Sequence, residues 1–382
     1  MQGDTLTVII QMTHGSTPIS NLSPAGQTFQ KLRFLPGNDF ESELKRRVNK
    51  YFLVDDKSKH DSALMYLKAI LIFTWTLTSY GLLVFYPIPL FGKILCALSL
   101  SLSLNAIGFN MVHDGAHQSF SKHSLLNNLM AASLDLIGAS SHFWRFKHNY
   151  LHHTYPNITG YDDDINVGFV ARFSPFQKRF AFHKYQHIYM WFFYGLIVIK
   201  WQLVDDFQLL ITRRIGSHEA SPPRGSDLLV FVIGKLNFVT FAFVIPFLLY
   251  PITTVLFFYI FVTFMQGVVM SVVFQLAHCI EETEFPSSST NAEPMKTSWV
   301  VHQIETTADF ARQSRLLNWY VGGLNFQVEH HLYPTISHIH YPAISKIVEN
   351  TCREYDVRYF AHRNFTSALG SHYRWLHSLG TG

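Results

Sequence analysis

Charge is what this 382-residue sequence has least of: 15% of its residues are Asp, Glu, Lys or Arg, where a soluble domain carries about a quarter. With 48% hydrophobic and 15% aromatic residues, that deficit excludes an ordinary soluble domain and points to a membrane protein. A formal net charge of +4 and the absence of a long basic stripe exclude a nucleic-acid binder. Cysteine is also scarce. Cys96, Cys279 and Cys352 are far apart and form no Cys-x-x-Cys pair, which leaves no disulfide framework or zinc ribbon and fits a reducing compartment. Cys279 follows His278, but it would be the one soft donor there, so packing is its expected role. The polar N-terminal stretch shows no basic segment leading into an apolar core, so no signal peptide is read there and targeting falls to the later spans.

Long apolar runs, by contrast, are plentiful. Residues of about 64–86, 94–112, 228–250 and 252–277 are each long enough for a bilayer core that needs about 20 apolar residues. Pro87 and Pro89 join the first two and Pro251 the last two, giving an all-α membrane protein with two transmembrane helical hairpins. The expected division is an N-terminal segment, residues 1–63, and a membrane domain, residues 64–382, whose helical cap comprises residues 113–227 and 278–382. The chain emerges at His113 after two crossings and at His278 after four, on the side of its N-terminus. Lys and Arg crowd that side, and the hairpin tips offer only Lys93, so the cap is expected to face the cytoplasm. Residues 125–143, interrupted by Asn127, Asn128 and Asp135, and residues 187–199, stopped by Lys200, read as interfacial or re-entrant helices. An extra pair of crossings would preserve the parity; a single crossing at 125–143 would break it. Lys68 and Lys235 read as snorkelling or boundary residues, residues 41–47 as a charged helix on water or the membrane surface, and residues 217–226 and 286–291 as loops.

Histidine carries the chemistry. His113-Asp114-Gly115-Ala116-His117 and His148-Asn149-Tyr150-Leu151-His152-His153 are two short ligand sets. On a helix, residues four apart lie about 40° apart around the axis, so His113 with His117, and His148 with His152, form chelating pairs. Gln327-Val328-Glu329-His330-His331 makes a third cluster, and His278 closes the last apolar run. Eight imidazoles and one amide suffice for two metal ions with positions left for oxygen and water. Isolated histidines (His14, His60, His123, His142, His183, His187, His218, His362, His372 and His377) read as ordinary hydrogen-bonding residues. Imidazoles suit iron, copper and zinc alike. A site at the mouth of spans rich in Phe, Leu and Val suits a long apolar chain, whose unreactive C–H bonds demand an oxidant made from dioxygen, and that favours iron. Asp114 replaces the glutamate of His-Glu-x-x-His, against a zinc protease. A metal transporter would hold its ligands inside the spans, not beyond them.

The three boxes, over about residues 64 to 345, resemble those of the integral-membrane fatty acid desaturases. The glutamine opening Gln327-Val328-Glu329-His330-His331 is similar to that of the front-end group, which places a new cis double bond between an existing one and the carboxyl end. Gln275-Leu276-Ala277-His278 resembles the family's extra ligand position, and residues 303–310 its region ahead of the third box. The resemblance implies two iron ions held by His113, His117, His148, His152, His153, His278, His330 and His331. Gln327 would be a weaker or water-mediated ligand, and Asp114, Asp163 and Asp164 would support the centre by orienting imidazoles. The run Asp162 to Asp164 reads equally well as a solvated loop, as does Asn157, and that reading is favoured for His302, His338 and His340. Dioxygen and two electrons would be used per turnover on an acyl-CoA or acyl-lipid. The His-Pro-Gly-Gly motif of a fused cytochrome b5 is missing, and some 60 N-terminal residues are too few for that domain, so a separate cytochrome b5 or ferredoxin is the expected electron donor. A hydroxylase or a sphingolipid desaturase on the same scaffold are the alternatives.

Overall fold

The computed structural model of the protein describes residues 31–54, 56–60, 62–287 and 294–382. His14, most of the N-terminal segment and most of the 286–291 loop lie outside them. The first helix among the described residues, α1 (Asp39–Val54), buries Phe40, Leu44, Val48 and Phe52, one residue per turn along a single stripe. That stripe packs on Val328, Leu332, Ile344 and Val348 of the cap. Its charged face carries Glu43 bridged to Arg46 and Arg47, and Arg47 reaches Glu354 at 2.6 Å.

Two membrane hairpins follow as expected. In the first, Ser62 caps α2 (Ala63–Phe85) by accepting the Leu64 N–H, and Pro89 starts α3 (Leu90–Ala116) after the turn. In the second, Pro251 separates α7 (Ser226–Leu249) from α8 (Ile252–His278). The cap is built from α4 (Ser124–Leu136), α5 (Ser141–Arg145, continued by a wider turn over Phe146–His152), α9 (Trp299–Glu305), α10 (Arg315–Tyr320), α11 (Gln327–Leu332), α12 (Tyr341–Glu354) and α13 (Phe365–Thr381). Two short strand pairs complete it: β1 (Arg214–Ile215) antiparallel to β2 (His218–Glu219), and β3 (Asp309–Phe310) parallel to β4 (Ala361–His362).

Between the hairpins the structure departs from the sequence reading. Residues 187–199 are the middle of one helix, α6 (Ala181–Thr212), 32 residues long and apolar enough to cross a membrane, so five helices among the described residues meet that criterion where four were expected. Helicity continues past Lys200 because its charge is met one turn on: Lys200 Nζ lies 2.6 Å from Asp205, and Asp206 takes Lys235 Nζ at 2.7 Å. Both ends of α6 nonetheless return to the cap. At its start the His183 carbonyl lies against Gly380 of α13. Just beyond its end, Ile215 packs on Leu151 and the Ser217 hydroxyl donates to the Gly160 carbonyl. A helix held by the cap at both ends keeps His113 and His278 on the same side of the spans.

Lys235 thus neither snorkels nor marks a boundary; it also donates to the Gly138 and Gln202 carbonyls. Lys68 is buried beside His338, its Nζ 3.0 Å from Nε2. The packing of α8 on α6 leaves no room at the crossing. A Cβ on Gly267 would sit 2.6 Å from the Tyr194 carbonyl oxygen and 2.7 Å from that of Gly195. Gly267→Ala should destabilise the protein by about 1–3 kcal/mol by forcing the helices apart. The check is the thermal midpoint of the detergent-solubilised protein; an unchanged midpoint would mean that the backbones do not meet there.

Candidate metal centre

The first box ends α3. Just before it the helix widens over Gly108–Val112, so the His113 N–H donates to the Gly108 carbonyl five residues back. Gly115 lets the box lie directly on α4, since a Cβ there would stand 2.6 Å from the Asn127 carbonyl oxygen. The second box uses the same device. Phe146–His152 is a π-type turn whose His153 N–H donates to the His148 carbonyl. In an α-helix, residues five apart diverge by about 140°; the i→i+5 bond draws them toward one face. His148, His152 and His153 therefore all reach the centre. In α11, ordinary helical spacing sends Gln327, His330 and His331 inward, while Glu329 turns away to the Tyr359 hydroxyl, 3.2 Å distant.

All eight histidines and Gln327 come together, and all are buried. Ligand nitrogens of His113, His117, His148 and His330 lie within 4.8 Å of one another, as do those of His152, His278 and His331. His153 joins the two groups: its Nε2 is 2.9 Å from His330 Nε2, and its ring stacks on His331 with centroids 4.3 Å apart. Gln327 Nε2 is 2.9 Å from His278 Nε2. Seven buried nitrogens of these rings, Nε2 of His113, His117, His148 and His331 and Nδ1 of His113, His153 and His278, have no hydrogen-bond partner among the described residues. Leaving that many polar atoms dry and unpaired is costly, and metal ions would satisfy one on each ring.

The electrostatics agree with that donor set. Burial, reinforced by neighbouring imidazoles, holds His117, His153, His330 and His331 well below the ordinary histidine range, and burial pushes His148 down to about 3. These rings are neutral, with lone pairs free to donate. His152 is the exception. Burial opposes its charge, but the carboxylates of Asp162 and Asp164 outweigh that and raise it.

Around the imidazoles stands a ring of orienting groups, which the sequence revealed only in part. Asp114 Oδ2 lies 2.7 Å from His338 Nδ1, and Asp114 Oδ1 is 3.8 Å from His113 Nδ1. Asp164 is 3.5 Å from His152 Nδ1 and 3.9 Å from His148 Nδ1, and it pairs with Lys147 at 3.2 Å. The closer partner of His152 is Asp162, at 3.1 Å, its side chain wholly buried and also accepting the Asn157 N–H. Gln303 Oε1 meets His331 Nδ1 at 2.8 Å while its amide donates to the His153 carbonyl. Asn157 Nδ2 lies within bonding distance of the carbonyls of His278, Glu284 and Thr306. His338, Asp162 and Asn157 are thus buried, not solvated. Their adjacency to the boxes was visible in the sequence; which of three consecutive aspartates points inward was not. Cys279 is buried, and burial pushes its thiol well up, so it packs as expected.

A narrow apolar slot leads away from the imidazoles between α3, α6 and α8. Val112, Trp144 and Phe274 line its near end, and Leu104, Val198 and Gln266 its far end. Trp144 also stacks on His148, with centroids 4.4 Å apart. From Val112 to Leu104 the helical rise gives a depth of about 12 Å.

The profile described as fatty acid desaturase matches residues 87–363. The chain belongs to the fatty acid desaturase family. It is accordingly an oxidoreductase of acyl chains and a multi-pass membrane protein. Among its relatives, the sn-1 linoleoyl-lipid 6-desaturase of Arthrospira platensis is 38% identical over 354 residues, 92% of this chain and 95% of the relative. The sn-1 linoleoyl-lipid 6-desaturase of Synechocystis sp. is 35% identical, covering 92% and 99%. The acyl-lipid (8-3)-desaturase of Physcomitrium patens is 35% identical, covering 90% and 72%. The front-end resemblance seen in the third box is therefore matched by whole-chain similarity.

Two predictions follow from the geometry. Asp162→Asn should weaken metal binding about 10–100-fold by loosening His152, whereas Asp163→Asn, whose carboxylate meets Lys147 and none of the imidazoles, should leave it unchanged; metal titration of both variants separates them. For the metal-free protein, the five histidines held below the unfolded value of about 6.5 contribute stability above that pH and lose it as pH falls, because the unfolded chain takes up protons the folded one refuses. His152 alone acts in the opposite sense. The chelator-treated protein should therefore melt lower at acidic than at neutral pH, and a flat profile would contradict the buried neutral rings.

Proposed function

We propose that this desaturase holds two iron ions and introduces a cis double bond, on the carboxyl side of an existing one, into a linoleoyl-type chain esterified to a membrane lipid. The observation carrying this is that one side chain, Trp144, both stacks on His148 and walls the slot. A chain filling the slot would lie against the imidazole cluster. His113, His117, His148, His152, His153, His278, His330 and His331 are the proposed ligands, with Gln327 weaker or water-mediated and Asp162, Asp164, Asp114 and Gln303 orienting them. When bound, the metal pair would supply the dioxygen activation that an aliphatic C–H bond demands. The overall balance takes one dioxygen, two electrons and two protons, removes two hydrogens from adjacent methylenes and releases two waters. The chain's own residues do the rest. Val112, Phe274 and Trp144 exclude water and fix which methylenes lie near the centre. A separate cytochrome b5 or ferredoxin would bring electrons to the cap, on the cytoplasmic side by the distribution of Lys and Arg.

The test is expression in a host fed defined fatty acids, with lipid classes separated and double bonds located by mass spectrometry. New unsaturation between the carboxyl end and an existing double bond is expected, and it should vanish when His148, His152 or His331 is replaced by alanine. A hydroxylated product would overturn the reading in favour of a hydroxylase, and long-chain base products in favour of a sphingolipid desaturase. Zinc binds imidazoles well, so metal content should be read on iron-supplied, active preparations.

A further inference from the structure

A second apolar cavity lies on the other side of Phe109. It is an open groove of about 870 Å³ between the first hairpin and the cap, within the usual size range of small-molecule sites. Trp75 of α2 and Leu102 of α3 form its floor, Leu317, Trp319, Tyr320 and Phe365 its walls. Leu316, on its edge, is 79% exposed. The rim is of opposite character: Gln313, Ser314, Arg363, Asn364 and Thr366. Arg315 is exposed beside that rim at the start of α10. Neither Arg315 nor Arg363 meets a hydrogen-bonding or ionic partner among the described residues. No acid stands near in sequence, since residues 310–328 and 357–382 contain neither Asp nor Glu. Tyr320 stacks edge-on against Phe109, with centroids 6.0 Å apart, and Phe109 lines the slot; this pair separates the groove from the slot.

We infer that this groove binds a bilayer lipid with an anionic headgroup, as a site distinct from the one where acyl chains react. Its apolar floor belongs to two membrane helices and its polar, doubly cationic rim to the cap, so it runs from acyl-chain to headgroup environment over its own depth. A soluble apolar ligand would have no use for the unpaired guanidiniums, whereas a phosphate diester whose charge no cation of its own headgroup cancels would pair with both. Basic residues at a membrane surface favour anionic lipids in this way. A protein partner is disfavoured by a floor that opens among the spans.

The test uses the full-length protein in phosphatidylcholine nanodiscs doped with a diazirine-bearing phosphatidylglycerol or, separately, with the matching phosphatidylcholine. After irradiation, labelled residues are located by mass spectrometry. With phosphatidylglycerol, labelling of Trp75, Leu102 and Leu316 should exceed that of Leu236, an exposed residue of α7. The excess should fall about fivefold for each arginine removed, in Arg315→Gln and Arg363→Gln. Phosphatidylcholine should show no such excess. Equal labelling by both lipids would mean ordinary boundary lipid, and no labelling of the groove would mean another occupant; either result overturns the inference. Desaturation by the two variants in a fed host is an independent readout, so a failed labelling experiment leaves the assignment of activity untouched.

Discussion

Eight imidazoles share one dry space at the junction of spans and cap, and the rest of the molecule is arranged around the cost of putting them there. Protonated, they would repel one another in a medium that screens little; neutral and unpaired, their nitrogens would each forfeit a hydrogen bond. The structure resolves this by burying them with lone pairs converging, five of them held neutral, a donor set that cations would complete. Asp162 and Gln303 occupy the outward nitrogens of His152 and His331, which fixes the tautomer and ring plane of those two and leaves their inner nitrogens free.

Backbone geometry makes the convergence possible. His113 follows directly on a widened turn, and His148 and His152 lie within one, with His153 closing it. The wider turn costs hydrogen-bond geometry, which is why such turns gather at functional sites. Here it brings a third histidine of the second box onto the face shared by the other two. Gly115 plays a complementary part, since its missing side chain lets α4 close over the first box. The slot and the groove then lie on either side of one aromatic pair, Phe109 and Tyr320, so the wall of the slot is continuous with the lining of the groove.

The sequence was a reliable guide where a single period or a single spacing carries the information. Apolar runs bounded by proline pointed to the two hairpins, and His-rich boxes to the imidazoles that cluster, because both are local patterns. Residues 187–199 looked shorter than the helix they belong to, because Lys200, read as a stop, is met by Asp205 one turn on and helicity runs to Thr212. Lys68 looked like a snorkelling residue and is instead buried against His338, 270 positions away.

By itself, then, the sequence determined that the chain lives in a membrane, that its imidazoles suit a metal pair, and that they emerge on one side of the spans. Length, hydropathy and helical spacing are properties of neighbouring residues, and they survive without coordinates. Tertiary structure alone decided which aspartate supports His152, how His153 and His330 come within 2.9 Å, and that α6 returns to the cap at both ends. Those facts depend on side chains far apart in the chain meeting in a dehydrated interior, where a hydrogen bond or an ion pair outweighs any local preference.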